Sequence, residues 1–134
     1  MHCWLNCVTY ALDIEEELTQ RPENLDYCLA PVKAVEKFAT NHGRKVRVMN
    51  SKDEELHSGE WRIAFFGFIP GGFDPEDDGR PTWYNYHLVK ELENGVWKHR
   101  KTFRSPVKTV DMDEMVSEYT KHGYPPFYFA VSKL

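Results

Sequence analysis

The apolar run at residues 61–69, WRIAFFGFI, is the feature that most constrains the fold of this chain. A strand with one face in water alternates apolar and polar residues, whereas this run is apolar at most consecutive positions. The run therefore predicts a central strand that is buried on both of its faces. Pro70 and the two glycines that follow it end the strand.

Apolar periodicity predicts three helices. In the first, Tyr10, Ile14 and Leu18 recur at every fourth position, and Asn6 is a suitable N-cap residue. Proline in the first turn supports the second helix, and a capping-box pattern opens the third. The predicted ranges are 6–18, 31–41 and 111–122.

The remaining segments predict strands, most of which follow one another along the chain. Their ranges are 45–49, 61–69, 83–92, 96–103 and 127–131. Helices followed by sequence-adjacent strands predict an α+β fold, in which helices cover one face of an antiparallel sheet. Since the 134 residues contain no linker or repeat, we expect a single domain over residues 1–134.

Composition and charge argue against several classes of protein. A formal charge of −4 argues against a nucleic-acid-binding protein, and no apolar stretch is long enough for membrane insertion. An odd number of cysteines, three, does not suggest a disulfide framework. Met1 is not followed by a signal-peptide pattern, which predicts a protein that is cytoplasmic as synthesised. Action in the periplasm or in a host cell would require delivery by a route that this chain does not encode.

The stretch HLVKELENGVWKH, residues 87–99, begins and ends in histidine around the turn signal Asn94-Gly95. With a two-residue loop, His87 and His99 would face opposite sides of the sheet, because strand side chains alternate. With a three-residue loop that includes Glu93, they would be diagonal neighbours on one face. A site that uses both histidines therefore requires the three-residue loop.

Cys7 is the candidate nucleophile. It follows the predicted N-cap, Asn6, where unpaired backbone N–H groups and the helix dipole favour a thiolate. Acyl transfer by a thiolate benefits from a histidine that acts as acid and base, and His87 would supply this across a helix–sheet interface. A lone helix cysteine is more often a small buried apolar residue, so the hypothesis depends on the combination.

This order of residues resembles the papain-like cysteine peptidase and amidase superfamily, in its small NlpC/P60 and CHAP forms. The strings NCVTYALD, YHLVKELENGVWKHRKTFRSPV and YPPFYFAVSK resemble the nucleophile region, the histidine hairpin and the final strand of such proteins in bacteria and phages. The resemblance implies a papain-like fold with N-terminal helices packed on an antiparallel sheet. It also implies a catalytic triad of Cys7, His87 and His99, in which His99 fixes the tautomer of His87.

The resemblance suggests further site residues. Papain-like enzymes often place an oxyanion-hole side chain shortly before the nucleophile, and none of the first six residues is glutamine. Asn6, or the Cys7 backbone N–H with another donor, is the candidate for this role. An aromatic group beside the cleft is expected to line the substrate groove or to belong to the core: Trp83, Tyr84 and Tyr86.

Other candidate sites are weaker. Cys3 is the rival nucleophile, and Cys28 is expected to be buried. Cysteine and histidine spacings do not match zinc motifs, so we expect no metal and no cofactor. The acidic segment 74–79, DPEDDG, has offsets like those of an EF-hand, but Asn85 stands at the closing acidic position, which favours a solvated loop.

Two classes of function follow. The first is a cysteine-dependent hydrolase of amide bonds, which the resemblance directs to peptidoglycan as an endopeptidase or amidase. An effector protease and a deamidase of a host protein belong to the same class. The second is a non-enzymatic binding or regulatory protein on a degenerate papain-like scaffold. Expected partners are a peptide or peptidoglycan substrate and an immunity or host protein.

Overall fold

This computed structural model describes residues 4–14, 30–67, 86–93, 95–100 and 106–134. The described helices are α1 (Trp4–Ala11), α2 (Pro31–Asn41) and α3 (Met112–Lys121). The strands are β1 (Arg44–Met49), β2 (Trp61–Gly67), β3 (Tyr86–Glu91), β4 (Trp97–His99), β5 (Lys108–Thr109) and β6 (Phe127–Lys133). They form one antiparallel sheet in the order β1-β6-β2-β3-β4-β5, which confirms the α+β class. In the described part of the chain, every helix is too short or too polar to cross a bilayer.

Strand β2 lies in the middle of the sheet, as its apolar sequence predicts. It pairs with β6 on one side and with β3 on the other. Four consecutive side chains, at residues 63–66, are at most 1% exposed. The last two residues of the predicted strand, 68 and 69, lie outside the described residues.

Helices cover both faces of the sheet, so the prediction that they cover one face is wrong. On the α1 face, α1 and α2 pack on Ile63, Phe65, Leu88, Phe129 and Val131. On the α3 face, the buried side chains of α3 pack on Ala64, Phe66, Val89 and Trp97. A sheet covered on both faces can bury consecutive residues of β2, which explains why that strand does not alternate.

Helix α1 is shorter than predicted and begins two residues earlier. It ends at Ala11, and Asp13 then adopts a left-handed backbone conformation with φ of 57°. The Trp61 indole N–H donates to the Ala11 carbonyl, and the Arg44 guanidinium donates to the carbonyls of Leu12 and Asp13. Donors from the sheet therefore satisfy carbonyl groups that the end of the helix leaves unpaired.

Helices α2 and α3 follow their sequence signals. Pro31 opens α2, and Gly43 follows its end with φ of 74°. The Asp111 carboxylate caps α3 by accepting from the Glu114 backbone N–H at 3.1 Å. The short strand β5 carries no sequence signal of its own and was not predicted.

On the α3 face, the neighbouring strands β1, β6 and β2 contribute a row of three side chains where the segment 50–60 packs on the sheet. In the register of the sheet, Ala130 lies between Arg47 and Arg62. Arg47 donates to the carboxylates of Glu54 and Glu60, and Arg62 donates to the Glu54 carbonyl. Charge-assisted hydrogen bonds thus attach this segment to the sheet.

We expect Glu60→Gln to reduce the stability of the fold at neutral pH. Hydrogen bonds from Arg47 lower the pKa of Glu60 from 4.5 to about 2. A carboxyl group with a lowered folded pKa stabilises the fold above its unfolded pKa, and this contribution is lost as pH falls from about 4.5 to about 2. Urea denaturation should show a smaller loss of stability over this range in the variant than in the parent protein.

Glu55→Gln is the matched control, since it removes an exposed carboxylate from the same segment. We expect it to leave the acid dependence of stability unchanged. Equal behaviour of the two variants would show that Glu60 makes no special contribution.

Candidate functional site

The β3–β4 hairpin has the three-residue loop that a two-histidine site requires. The Leu92 N–H donates to the Val96 carbonyl at 2.8 Å, and the Gly95 N–H donates back to the Leu92 carbonyl. The strands then pair in this register, with Lys90 opposite Lys98. Gly95 has φ of 79°, the left-handed conformation expected at the end of this loop. The prediction that the loop includes Glu93 is confirmed.

This register brings His87 and His99 together. Nε2 of His87 lies 2.6 Å from Nδ1 of His99, and the ring centroids are 4.6 Å apart with the ring planes at 82°. The side chains are 8% and 5% exposed, respectively. Two nitrogens this close in a buried site form a hydrogen bond, which requires one to carry a proton and the other to accept it.

The direction of this hydrogen bond determines what the pair can do. If Nε2 of His87 donates, Nδ1 of a neutral His87 ring is unprotonated and can act as a base. When Nδ1 takes up a proton, the imidazolium of His87 still donates to His99. If His99 donates instead, Nδ1 of a neutral His87 carries the proton and is no base. Acid–base chemistry at His87 therefore needs the first arrangement.

The histidine pair borders the apolar core of the α3 face. Phe66 lies directly opposite His87 on β2, and its ring packs 5.0 Å from that of Tyr119 on α3. On the outer side, Lys108 of β5 lies opposite His99 and is exposed. The pair thus sits between the core and the short edge strand, where little water competes for the hydrogen bond.

Helix α1 packs on the other face of the sheet. Val8 of this helix belongs to the core cluster that contains Leu88, the residue after His87. Because neighbouring strand residues point to opposite faces, His87 faces away from α1. The alternation of β3 therefore does not favour the predicted route from Cys7 to His87 across the helix–sheet interface.

The position of Cys7 in α1 also differs from the prediction. The helix starts at Trp4, so Asn6 lies inside it rather than at the N-cap, and Cys7 is its fourth residue. The unpaired N–H groups of a helix belong to its first turn, and Cys7 lies at the end of that turn. The helix terminus therefore supports a thiolate less than predicted. The side chains of Asn6 and Cys7 lie outside the described residues.

Several other predicted site residues cannot be placed relative to the histidine pair. Cys3, Cys28, Trp83, Tyr84 and the segment 74–79 lie outside the described residues. Tyr86 is the first residue of β3, but its side chain is not described. Among the described residues, no three histidine, cysteine or acidic side chains are grouped as a metal site would require.

Sequence reasoning missed one further cluster, on the α1 face. The Lys90 ammonium group lies 5.5 Å from the centre of the Tyr10 ring and 5.3 Å from that of the Trp61 ring. These residues come from three separate elements, so no local pattern indicates their contact.

Comparisons of the chain with family models, curated proteins and solved structures give no match in any of the three.

We expect His87 and His99 to be energetically coupled. His99→Leu leaves Nε2 of His87 without its partner, whereas replacing both histidines removes the unpaired group. The free energies of unfolding of the two single variants and the double variant should therefore deviate from additivity by about 1–2 kcal/mol. Urea denaturation of all four proteins measures this coupling.

The control cycle uses His57→Leu and His122→Leu, because both histidines are exposed. In this control cycle, the changes in the free energy of unfolding should be additive. Additive effects at His87 and His99 would contradict a stabilising hydrogen bond between them.

Proposed function

We propose that the chain is a thiol-dependent hydrolase of amide bonds on a papain-like scaffold. In this proposal Cys7 is the nucleophile, His87 is the acid and base, and His99 is a positioning residue that holds His87. The observation that carries the proposal is the buried 2.6 Å contact between the two histidine rings.

The contact supports the proposal because it engages one nitrogen of His87 and leaves the other for proton exchange. A histidine held in one tautomer by a polar partner is the arrangement that nucleophilic catalysis requires of its base. Burial of both rings limits the alternative orientations of His87 and excludes competing water. A purely structural histidine pair would satisfy the same hydrogen bond, so reactivity has to distinguish the two roles.

The proposed chemistry proceeds in two steps. Nδ1 of His87 accepts the thiol proton of Cys7, and the sulfur attacks the amide carbonyl carbon. The carbon–nitrogen bond then breaks, the amine leaves with the proton from His87, and a thioester remains. Water attacks the thioester after His87 takes its proton, which releases the carboxylic acid and restores the thiol.

The proposal requires a particular contact between Cys7 and His87 near the start of β3. Since α1 and the histidine pair belong to opposite faces, the thiol has to reach His87 around the end of the sheet. His87 lies close to that end of the sheet, because it is the second residue of β3. Tyr86, the first residue of β3, pairs with Gly67, the last residue of β2. A contact around this end is the specific geometry that the proposal requires.

The proposed substrates follow from the resemblance to NlpC/P60 and CHAP proteins. Peptidoglycan peptides are the first class, cleaved by endopeptidase or amidase action. A host protein that is cleaved or deamidated is the second class. In either case an immunity protein or host protein would be a further partner, and the protein would be delivered from the cytoplasm to its site of action.

The opposite faces favour a second candidate function, a binding or regulatory protein on a degenerate papain-like scaffold. In that case the histidine pair would be a buried structural hydrogen bond, and Cys7 would be an ordinary thiol. The two candidates differ in the reactivity of Cys7 and in its dependence on His87.

We expect Cys7 to react with iodoacetamide faster than a model thiol at neutral pH, because His87 would hold it as a thiolate. A thiol with an ordinary pKa of about 8.5 is only about 3% ionised at pH 7. Replacement of His87 by Gln should return the alkylation rate to that of a model thiol, whereas His122→Gln should leave it unchanged. The rates are measured by mass spectrometry of the peptide that contains Cys7.

Alkylation of Cys7 at the model rate in the parent protein would contradict the proposal and favour the binding function. A fast rate that persists in His87→Gln would contradict the contact between the thiol and His87. Cys3→Ala and Cys28→Ala variants ensure that the measured thiol is Cys7.

We expect Cys7→Ala to abolish hydrolysis of purified peptidoglycan, and His87→Ala to reduce it by about 100-fold to 10,000-fold. His99→Ala should lower kcat more than it changes KM, because His99 acts through His87. Release of new amino groups measures peptide cleavage, and release of ammonia without chain cleavage identifies deamidation of a protein substrate. Unchanged release by Cys7→Ala would contradict a role for this thiol.

A further inference from the structure

A groove of about 940 Å³ lies between the segment 56–60 and the β3–β4 hairpin. Its apolar lining includes Leu56, Trp61 and Leu92, and its basic lining consists of Arg62 and Lys90. Lys90 contacts the rings of Trp61 and Tyr10 on the α1 face, whereas the histidine pair lies on the α3 face. Arg62 and Glu91 of the lining lie on the same face as the histidine pair, but neither His87 nor His99 lines the groove. The function of the groove therefore does not depend on the proposed hydrolase activity.

The two basic residues of the groove are engaged to different degrees. The Arg62 guanidinium donates to the Glu91 carboxylate at 2.8 Å and to the Glu54 carbonyl at 2.7 Å. Among the described residues, the nearest carboxylate oxygen to the Lys90 ammonium belongs to Asp13, at 3.9 Å. Lys133 lies closer to that carboxylate, at 3.4 Å. Lys90 therefore has donors that the described residues do not satisfy.

The ammonium group of Lys90 is held in place although no residue in the described ranges offers it a close acceptor. The faces of Trp61 and Tyr10 fix it by cation–π contacts, and its side chain is only 18% exposed. Burial lowers the pKa of Lys90. A partly desolvated cation that is fixed by aromatic rings and lines a groove is prearranged to receive an anion.

We infer that this groove binds a small molecule with a single carboxylate next to an apolar group, such as an N-acyl amino acid. The carboxylate accepts hydrogen bonds from the Lys90 ammonium group, and the apolar group packs against the Trp61 indole. Leu56 and Leu92 extend the apolar surface away from Lys90.

The charges around the groove favour a single carboxylate over a polyanion. Glu60, Glu91 and Glu93 also line it. Glu60 and Glu91 are paired with Arg47 and Arg62, respectively, while Glu93 is exposed at the hairpin. A phosphate or a longer polyanion would meet these carboxylates, and that of Asp13 beside Lys90, at close range, whereas a single carboxylate meets less repulsion.

The test compares N-benzoylglycine with its uncharged amide, N-benzoylglycinamide, on the full chain labelled with ¹⁵N. The two probes differ only in the carboxylate. We expect N-benzoylglycine to shift the Trp61 indole N–H and the amides of residues 90–92, with the amides of α3 as an internal control. The amide probe should bind at least about tenfold more weakly, as expected for loss of a charge-assisted hydrogen bond.

Two variants assign the preference to Lys90. Lys90→Gln should remove the preference for the carboxylate, while Lys45→Gln, which removes an exposed charge from β1, should retain it. Equal binding of the two probes to the parent protein overturns the inference without any variant. Shifts outside the groove, or no shifts at about 10 mM probe, a concentration that detects even weak binding, also overturn it.

Discussion

The hydrogen bond from the Leu92 N–H to the Val96 carbonyl fixes the register on which the rest of the hairpin depends. Strand side chains alternate, so a slip of one residue would move every side chain of β4 to the opposite face. Trp97 would then leave the core of the α3 face, and His99 would leave His87. One loop residue, Glu93, thus separates a buried histidine pair from two unrelated histidines.

Coverage of the sheet on both faces divides the molecule into two chemical environments. On the α3 face, the imidazole rings of His87 and His99 are in direct contact beside the apolar core. The α1 face holds Lys90 between two aromatic rings, next to an open groove. The backbone of β3 supplies both sites from residues three positions apart, and the pleat of the strand keeps them separate.

Local signals in the sequence were sufficient for several elements. The apolar run of β2, the proline of α2 and the Asp111 cap of α3 each depend on residues close together in the chain. The length of the hairpin loop was left open between two and three residues, and the strand pairing selects three. The end of α1 was not predictable in this way, because Arg44 and Trp61 bind its carbonyls from distant strands. Tertiary contacts therefore override the apolar period that suggested a longer helix.

The face of the sheet that His87 occupies was also not predictable from the sequence. Leu88 and Val89 are both buried and apolar, so no alternation indicates which of them faces α1. Only the long-range pairing of Phe66 with His87 determines it. The histidine pair was predictable on condition of the three-residue loop, whereas its relation to the helix that carries Cys7 was not predictable.

The strand order has a consequence for how the protein folds during synthesis. Strand β6 lies between β1 and β2, although the ribosome makes it after the other five described strands. The hairpin of β3 and β4 can form early from local contacts, but β1 has to wait for β6 before it can join the sheet. Completion of the sheet is thus a late, non-local step, and the apolar strand β2 stays exposed on one edge until then. A nascent chain of this protein is expected to need protection from aggregation until β6 emerges.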